Sequence, residues 1–224
     1  MPMISIIIPA WREGDAVSKL VERFDGASGT QVVAALAEDD IETREPESSG
    51  AVVARSPKGR ARQMNAGAGV AEGDILLFLH ADTVIDTASL ENVRAALKRP
   101  GVVGGAYRLK IDSPSRWLSL VSGVANLRSR LFRAPYGDQA IFVKRSVFHA
   151  VGGFDDVPLM EDVRLIQKIR KIGSLAMLDD EAVTSPRRWE EKGYLSNTFR
   201  NWLIMAAFKA GVEPEKLADW YYGG

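Results

Sequence analysis

Residues 4–13 read Ile4-Ser5-Ile6-Ile7-Ile8-Pro9-Ala10-Trp11-Arg12-Glu13. The run 4–8 is short and rich in β-branched residues, which is typical of a strand buried on both faces in a parallel sheet. Asp15 stands where it would cap a following helix. That helix would present one apolar stripe at i, i+3, i+4 and i+7, formed by Val17, Leu20, Val21 and Phe24. The sequence therefore begins with a βα unit.

The same alternation continues through the first hundred residues. Apolar runs at 31–36, 51–54 and 75–79 predict three more strands. Residues 59–70 and 87–97 are predicted to be helical, and the charged stretch 38–49 is predicted to be an exposed loop. Strands that alternate with helices predict an α/β fold with a mostly parallel central sheet flanked by helices.

The second half is less regular. We predict a strand at 102–111, a long helix at 115–133 and a short strand at 139–143. A further helix opens with Met160-Glu161-Asp162, ends near Gly173, and carries the apolar residues Val163, Ile166 and Ile169. Its two acidic residues therefore lie at its N-terminus.

Length and composition limit the class of protein. The chain has 224 residues, 46% of them hydrophobic, which suits one elaborated domain over residues 1–224. Twenty-nine basic residues balance 29 acidic ones, so no overall field attracts nucleic acid, and the lack of cysteine excludes thiolate chemistry. We expect neither a signal peptide nor a membrane-spanning helix. The expected location is the cytoplasm, either free or peripheral at the inner face of the membrane.

Acidic residues follow three of the predicted strands. Glu13 follows the first strand, the acids at 38–40 follow the second, and Asp82 follows the strand at 75–79, just after His80. Ligands of open α/β sheets bind outside the carboxyl ends of the strands, so these side chains should share one crevice. Crowded carboxylates repel one another unless a cation compensates. The pattern therefore predicts a hard divalent ion together with a phosphorylated ligand.

A basic segment lies between these acids, Lys58-Gly59-Arg60-Ala61-Arg62-Gln63-Met64-Asn65-Ala66-Gly67. Three cations and two glycines at the start of a predicted helix suit a diphosphate. Taken alone, a solvated basic helix start explains the segment equally well. The segment is not a Gly-x-x-x-x-Gly-Lys-Ser/Thr loop, and no Gly-x-Gly-x-x-Gly follows the first strand. The sequence thus supports neither a P-loop enzyme nor a dinucleotide-binding fold.

A series of motifs resembles the inverting family 2 glycosyltransferases. Residues 5–13 are similar to the family's opening strand, a hydrophobic run followed by Pro, a small residue, an aromatic, Asn and Glu. Five later motifs resemble a small bacterial subfamily with the patterns GRAxQMNxGA and LHADT. They are Gly59-Arg60-Ala61-Arg62-Gln63-Met64-Asn65-Ala66-Gly67-Ala68, Leu77-Phe78-Leu79-His80-Ala81-Asp82-Thr83, Gly137-Asp138-Gln139, Gly152-Gly153-Phe154 and Met160-Glu161-Asp162. Together they cover nearly the whole chain in the family's order.

The resemblance implies a Rossmann-like nucleotide-diphospho-sugar transferase fold, known as GT-A. Residues 1–100 would form the nucleotide-sugar-binding half, and residues 101–224 the acceptor-binding half with the C-terminal helices. The implied reaction is a hexosyl transfer from a UDP- or GDP-sugar to an acceptor hydroxyl with inversion, dependent on Mg²⁺ or Mn²⁺. The acceptor is unknown, and a lipid-linked hydroxyl is one candidate.

The resemblance also implies roles for individual residues. Asp82 would bind the metal, and Asp162, with Glu161 as the less favoured choice, would be the catalytic base. An acid at a helix start is also an ordinary dipole-stabilising feature. The nucleotide-sugar would contact Pro9, Ala10, Trp11, Glu13, Glu38, Arg60, Arg62, Asn65, His80 and Ala81. The acceptor or the diphosphate would contact Asp138, Gln139, Arg187, Arg188 and Trp189.

Three positions depart from the family pattern. Arg12 replaces the usual Asn. His80 replaces the first Asp of the family's Asp-x-Asp motif, where it would hydrogen-bond a hydroxyl, bind Mn²⁺ or serve a structural role. After the second strand, the Asp and Gly-Ser turn that are usual in the family are missing, and Glu38 or Asp39 is the candidate for reading the nucleotide base. No processivity follows from Arg187, Arg188 and Trp189, because the Gln that usually precedes this element is missing.

Two apolar stripes have two interpretations each. The first lies in the helix at 115–133, with four arginines beside it, and comprises Trp117, Leu120, Val121, Val124, Leu127 and Leu131. We favour a core helix with a solvated face over an interfacial helix that brings the site to a lipid acceptor. The second stripe comprises Leu195, Phe199, Trp202, Leu203 and Ala206. For it we favour core packing or a homodimer contact over membrane binding.

Two other functions compete with sugar transfer. One is a catalytically silent nucleotide-sugar-binding or scaffold protein, in which His80 and the altered loop after the second strand would be changes that accompanied the loss of activity. The other is a nucleotidyltransferase that forms nucleotide-sugars. The second is disfavoured, because its usual Gly-rich loop directly after the first strand is missing.

Overall fold

Four parallel strands form the first half of the central sheet. The computed structural model describes residues 1–46 and 50–222 and, within them, every side chain except those of Arg188 and Lys192. The strands β1 (Ile4–Ala10), β2 (Thr30–Ala37), β3 (Ala51–Ser56) and β4 (Ile75–Phe78) lie in the order β3-β2-β1-β4. Every neighbouring pair among them is parallel, so their carboxyl ends share one edge. This confirms the four predicted strands and the parallel sheet of the first half.

The second half extends the same sheet with mixed pairing. It contains β5 (Thr83–Val84), β6 (Val102–Ile111), β7 (Phe142–Lys144) and β8 (Ser174–Thr184), and the order continues β4-β7-β6-β8-β5. Strand β7 is antiparallel to both β4 and β6, whereas β6 and β8 are parallel. Strand β8 therefore ends at the same edge of the sheet as β4. The observed sheet is parallel in the first half and mixed in the second.

Helices flank the sheet. Their bounds are α1 (Ala16–Glu22), α2 (Arg60–Gly69), α3 (Leu90–Lys98), α4 (Arg116–Phe132), α5 (Arg145–Ala150), α6 (Glu161–Ile169), α7 (Arg187–Lys192), α8 (Tyr194–Lys209) and α9 (Pro214–Tyr222). The predicted helices correspond to α1, α2, α3, α4 and α6. Asp15 lies at the N-cap of α1, but its side chain makes no capping bond and lies 3.8 Å from Arg44 instead. Residues 38–46 form the predicted loop; residues 47–49 lie outside the described part.

Apolar side chains form a core on each face of the sheet. Ile6 and Ile8 of β1 point to one face and Ile7 to the other, as strand alternation requires. The first core includes Val17, Leu20 and Val21 of α1 with Val93 and Leu97 of α3. The second includes Met64 of α2 with Leu165, Ile166 and Ile169 of α6. A smaller third cluster joins α8 and α9 through Leu159, Ile204, Leu217 and Ala218.

Two strand predictions need correction. The predicted strand at 139–143 begins only at Phe142, because residues Gly137–Gln139 form a 3₁₀ turn and Ala140 has a positive φ of 45°. Strand β8 was not predicted at all. Its two apolar ends are separated by Asp179-Asp180-Glu181, a stretch that in the sequence resembles an exposed loop.

The core interpretation of the two apolar stripes is wrong. In α4 the buried residues are Leu118, Ser122 and Ser129. The two serine hydroxyls can be buried because each donates to the carbonyl four residues earlier, at 3.0 and 2.9 Å. The apolar side chains face outward instead, namely Leu120, Val124, Leu127 and Leu131 of α4 and Leu195, Phe199, Trp202 and Leu203 of α8. Within residues 1–46 and 50–222, no helix has the length and apolar character needed to cross a bilayer.

Candidate active site

A cleft of about 190 Å³ lies at the carboxyl edge of the sheet. His80 and Asp82 follow β4, and Thr184 and Ser185 stand at the end of β8. The starts of α2 and α6, the 3₁₀ turn and α7 contribute Arg60, Glu161, Asp162, Asp138 and Trp189. Asn197, Asn201, Ile204 and Met205 of α8 and Tyr221 of α9 complete the wall. Seven predicted site residues therefore meet in one cleft, although they lie far apart in the sequence.

Asp162 is held rigidly at the start of α6. Its Oδ2 accepts a hydrogen bond from the Gly137 backbone N–H at 2.5 Å, and its Oδ1 accepts one from the Val163 N–H at 2.7 Å. Met160, just before the helix, has a φ of 67°, which is unusual for a residue with a side chain. These contacts fix a carboxylate at the wall of the cleft, where it can accept a proton from a bound hydroxyl.

Gly137 separates Asp162 from His80. A Cβ atom built on Gly137 would lie 3.2 Å from Asp162 Oδ2 and 3.2 Å from His80 Nε2. The carboxylate and the imidazole thus approach the same backbone position from two sides. The absence of a side chain at residue 137 is what allows both groups to face the cleft there.

Arg60 and Glu161 form an ion pair beneath the cleft. The guanidinium Nη1 lies 3.3 Å from Glu161 Oε1, and the Glu161 side chain is only 4% exposed, whereas that of Arg60 is 35% exposed. Burial raises the pKa of Glu161, Arg60 opposes this, and Asp162 adds to it, leaving the pKa above its ordinary value. Burial alone would lower the pKa of Arg60, but Glu161 and Asp162 raise it. Arg60 therefore presents a fixed positive charge to the cleft, and Glu161 holds it in place.

Asp82 is the cleft residue that could hold a divalent ion. Among the described residues, no three His, Asp or Glu side chains come together as a ready-made metal cage. Asp82 faces the cleft, and its Oδ1 accepts a hydrogen bond from Thr83 Oγ1 at 3.2 Å. Mg²⁺ is commonly bound by one or two carboxylates plus substrate phosphates. Asp82 would hold such an ion, and a bound diphosphate would supply the other oxygens.

Helix α7 brings the C-terminal part of the chain to the rim of the cleft. Arg187 Nη2 lies 3.8 Å from Glu13 Oε2, which links α7 to the loop after β1. Trp189 lines the cleft and donates its Nε1–H to Thr198 Oγ1 at 3.3 Å. The side chain of Arg188 lies outside the described part of the structure. Glu13 and Arg187 thus stand at the rim rather than in the lining.

The remaining residues at the start of the sheet lie outside the cleft lining. Pro9 and Ala10 are buried, and the Ala10 carbonyl accepts a hydrogen bond from Gln63 Nε2 at 2.5 Å. The Trp11 ring has the Lys58 ammonium 3.3 Å from its centroid. Glu38 and Asp39 are exposed, and Ala81 packs partly buried against the core. These positions flank the carboxyl ends of β1, β2 and β4.

Three other predicted site residues make contacts away from the cleft. The Nε of Arg62 lies 2.8 and 2.9 Å from the two carboxylate oxygens of Asp156. The Asn65 amide donates to the Phe154 carbonyl at 2.9 Å and accepts from the Phe154 N–H at 3.0 Å. Gln139 is buried, accepts from the Tyr136 N–H at 3.3 Å and donates to the Tyr107 carbonyl at 3.1 Å. These contacts tie the three side chains to other parts of the protein, and their roles toward a ligand stay predictions.

The loop after β2 is organised by Asp40. Its carboxylate accepts hydrogen bonds from the backbone N–H groups of Arg12, Glu42 and Thr43 at 2.9–3.0 Å and from the Thr43 hydroxyl. Burial raises the pKa of Asp40, but these hydrogen bonds outweigh it and hold the pKa below its ordinary value. Arg12 itself has a φ of 58°, the left-handed region that Asn adopts more readily than Arg. The structure thus shows why the Asn of the family pattern suits this position.

Sequence reasoning missed several residues of the cleft. Tyr136 lines it and has the Arg128 guanidinium 3.3 Å above its ring. Burial raises the pKa of Tyr136; Arg128 lowers it and Asp162 raises it, leaving it above its ordinary value. Asn197 and Asn201 of α8 also line the cleft. No motif or periodicity in the sequence singles these residues out, because only the packing of α8 over the cleft makes them part of the site.

The fold and the cleft together define a class of protein. A mixed α/β sheet flanked by helices, with a cleft at the carboxyl edge of its parallel strands, is the arrangement of GT-A nucleotide-sugar transferases. The chain belongs to glycosyl transferase family 2, since the model of the family with that description matches residues 5–154. Asp162 and Trp189 lie beyond the matched segment. A search of curated protein sequences gave no match.

Solved structures share this fold at low sequence identity. The mannosyltransferase PcManGT from Pyrobaculum calidifontis, in complex with GDP-Man and Mn²⁺, superposes with a TM-score of 0.66 at 17% identity over 99% of this chain and 70% of that chain. S. aureus TarS 1–349 in complex with UDP-GlcNAc superposes with a TM-score of 0.61 at 14% identity over 82% of this chain. This chain spans 58% of the length of that TarS chain. These similarities establish the fold.

Proposed function

We propose that the protein transfers a hexose from a UDP- or GDP-sugar to an acceptor hydroxyl with inversion at the anomeric carbon. The observation that carries the proposal is that Asp82, Arg60 and Asp162 line one cleft at the carboxyl edge of the sheet. Two solved structures with the same fold are complexes with UDP-GlcNAc and GDP-Man, which supports a nucleotide-sugar as donor.

The donor diphosphate would lie between Asp82 and Arg60. The guanidinium offers several N–H donors and a permanent positive charge to the phosphate oxygens. Asp82 would hold Mg²⁺ or Mn²⁺, which neutralises charge that develops on the departing diphosphate. The complex of PcManGT contains Mn²⁺, which supports a divalent metal as cofactor. The base and ribose would extend toward Trp11, Glu13 and the loop after β2.

Asp162 would act as the general base. Its carboxylate takes the proton of the acceptor hydroxyl while that oxygen forms a bond to the anomeric carbon. At the same time the bond between the anomeric carbon and the diphosphate oxygen breaks, and the nucleoside diphosphate leaves with the bonding electrons. Attack from the face opposite the leaving group inverts the anomeric centre. Asp162 is favoured over Glu161, because Glu161 is buried against Arg60.

The donor site is tested by thermal unfolding with UDP or GDP in the presence of Mn²⁺ or Mg²⁺. Ligand that binds only the folded state raises the melting temperature. We expect a rise that requires both nucleotide and metal and that is lost in Asp82→Ala. The matched control is Asp179→Ala, which removes an acid that is 89% exposed and outside the cleft lining; it should keep the rise. No rise in the wild-type protein at millimolar nucleotide and metal would refute the donor site.

A second experiment distinguishes an active transferase from a protein that only binds the nucleotide-sugar. Hydrolysis of the nucleotide-sugar, in which water takes the place of the acceptor, reports turnover before the acceptor is known. We expect Asp162→Asn to keep the nucleotide-dependent rise while hydrolysis falls by about 10²–10⁴-fold, the usual contribution of a general base. Nucleotide binding without hydrolysis in the wild-type protein would instead support a silent nucleotide-sugar-binding or scaffold protein.

A further inference from the structure

Helices α4 and α8 expose a large amount of apolar surface. In α4 the outward face carries Leu120, Val124, Leu127 and Leu131, and the last two are 59% and 66% exposed. In α8 it carries Leu195, Phe199, Trp202 and Leu203, with Phe199 and Trp202 63% and 56% exposed. We call these eight residues the apolar face. Large exposed apolar surfaces commonly mark a site of contact with another protein or a membrane.

The two helices adjoin each other beside the cleft. Trp117 at the start of α4 and Trp189 in the cleft lining both donate their indole N–H to Thr198 Oγ1 of α8, at 3.4 and 3.3 Å. The other side of α8 supplies Asn197 and Asn201 to the cleft wall. The apolar face therefore lies on the outside of the same helix that walls the cleft.

The apolar face is accompanied only by positive charge on its own helices. The segment 115–133 contains four arginines and the segment 193–210 contains Arg200 and Lys209, and neither segment contains Asp or Glu. The whole chain has as many acidic as basic residues, so this bias is local. From the neighbouring β8, Asp179 pairs with Arg130, while Arg133 donates to the Leu175 carbonyl. Arg116, Arg133 and Lys209 remain exposed at the ends of the two helices.

We propose that the apolar face docks on the surface of a bilayer that contains anionic lipids. Apolar side chains that include a tryptophan, flanked by arginines and lysine, are the composition of helices that lie in the interface between headgroups and acyl chains. The cations complement the negative surface potential of such a membrane. A second copy of this chain complements it less well, because a two-fold contact would place the same cationic helices against each other.

The docking holds the cleft close to the membrane surface, with α8 between them, since the other side of α8 walls the cleft. The acceptor is then a hydroxyl carried by a membrane lipid or a lipid-linked saccharide. This consequence rests on the proposed function, whereas the docking itself does not.

Vesicle flotation tests the docking with the full chain. Vesicles of phosphatidylcholine are compared with vesicles that also contain phosphatidylglycerol. We expect at least tenfold more protein to float with the anionic vesicles, and about 0.5 M NaCl to reduce binding, because salt screens the attraction of the cations. The variants Leu127→Glu/Leu131→Glu in α4 and Phe199→Glu/Trp202→Glu in α8 should each lose the binding.

A charge-matched control adds the same two carboxylates elsewhere. Ile41→Glu/Ile172→Glu replaces two exposed apolar residues that lie outside both helices, and it should float like the wild-type protein. Circular dichroism checks that every variant is folded. Equal binding by the control and the helix variants, or no binding of the wild-type protein to either vesicle, would overturn the proposal. So would a dimer in sedimentation velocity that only the α4 and α8 variants dissociate, since the apolar face would then be covered by a second copy.

The nucleotide-dependent rise in melting temperature is measured on the same variants. Because the apolar face lies outside the cleft, that rise should persist in all of them. Vesicle binding without any such rise would leave the docking intact and remove the proposed donor site, whereas the opposite result would remove the docking alone.

Discussion

Gly137 shows how a single residue sets the geometry of the site. Its backbone N–H holds Asp162, and its missing side chain leaves room for His80 and Asp162 on either side. Its φ is not in the left-handed region, so an alanine meets no backbone strain there. What an added methyl group would meet is the carboxylate and the imidazole themselves.

We therefore expect Gly137→Ala to impair turnover without unfolding the protein. The new methyl group, 3.2 Å from Asp162 Oδ2 and His80 Nε2, must displace one or both side chains. Small displacements of reacting groups can cost about 10²-fold in rate, so hydrolysis of the nucleotide-sugar should fall by roughly 10- to 100-fold. The free energy of unfolding in urea should change by less than about 1 kcal/mol, because both neighbours are side-chain atoms that can shift.

Gly69→Ala is the matched control for this substitution. Gly69 lies in α2, and a Cβ atom there would meet nothing within 4 Å. It should leave hydrolysis unchanged and stabilise the protein by up to about 1 kcal/mol, as expected for alanine in place of glycine in a helix. If Gly137→Ala hydrolyses the donor as fast as Gly69→Ala, the positions of Asp162 and His80 do not limit the reaction.

At the residue scale, the sequence predicted which residues lie at the cleft better than it predicted which side chains contact each other there. Asp82 and His80 follow a predicted strand, so their place at the carboxyl edge could be inferred, whereas the place of Asp162 in the site came from the family resemblance. The pairing of Arg60 with Glu161 could not, because it joins residues 101 positions apart. The motifs also did not indicate that Asn65 and Gln139, which they suggest as ligand contacts, hydrogen-bond backbone groups.

At the scale of elements, the ion pair of Arg60 and Glu161 fastens the start of α2 to the start of α6. Helix α6 also packs on the sheet through Leu165, Ile166 and Ile169, so its first turn carries the carboxylates while its body is buried in the core. Two helix starts from different halves of the chain thereby hold Arg60 and Asp162 at fixed places in the same cleft.

We expect Arg60→Met to destabilise the protein more at pH 8 than at pH 5. Without the cation, the pKa of buried Glu161 rises further above its ordinary value of 4.5. The folded state then binds a proton that the unfolded state has lost, so stability falls as the pH rises through this range. The loss at pH 8 should be about 2 kcal/mol, below the 3–5 kcal/mol of a fully buried broken pair because Arg60 is partly exposed. Urea unfolding at several pH values measures it.

The double variant Arg60→Met/Glu161→Gln is the control, because it removes the buried carboxylate as well. It should recover most of the lost stability at pH 8 and show a weaker dependence on pH than Arg60→Met. Strictly additive effects of the two substitutions would show that the two side chains do not interact.

Strands and helices with a clear hydrophobic pattern could be predicted from the sequence. Those that form only because another element packs or pairs with them could not. Strands β1 and β4 are buried on both faces and read as continuous apolar runs. Strand β8 has acids in its middle and is a strand because β6 pairs with it. Helix α4 shows the opposite failure: its apolar stripe predicts a buried face, yet satisfied serines are buried and the stripe is exposed. Periodicity reports amphipathic character, and the packing partner decides which face is buried.

On the scale of the whole molecule, the C-terminal helices α8 and α9 pack on each other around a small core of their own. The two large cores lie on the faces of the sheet, whereas α8 and α9 are joined by a separate small cluster that includes Leu159, Ile204 and Leu217. Ile204 also lines the cleft, so this cluster supports the wall that closes the site. We expect a small satellite core of this kind to open more easily than the central sheet.

We expect Leu217→Ala to loosen this wall while the sheet stays intact. Leu217 is fully buried, and removing such a side chain costs about 2–5 kcal/mol of stability. We expect this loss to lower the local stability of the small cluster and not that of the sheet. A loss of about 2 kcal/mol corresponds to roughly 30-fold faster hydrogen exchange for backbone amides of α8 and α9, with little change in β1 and β2. Leu77→Ala, an equally buried site in β4 and in one of the large cores, should instead speed exchange throughout the sheet. If Leu217→Ala speeds exchange in β1 as much as in α9, then the helices that wall the cleft unfold together with the sheet, and the cleft cannot open independently of the fold.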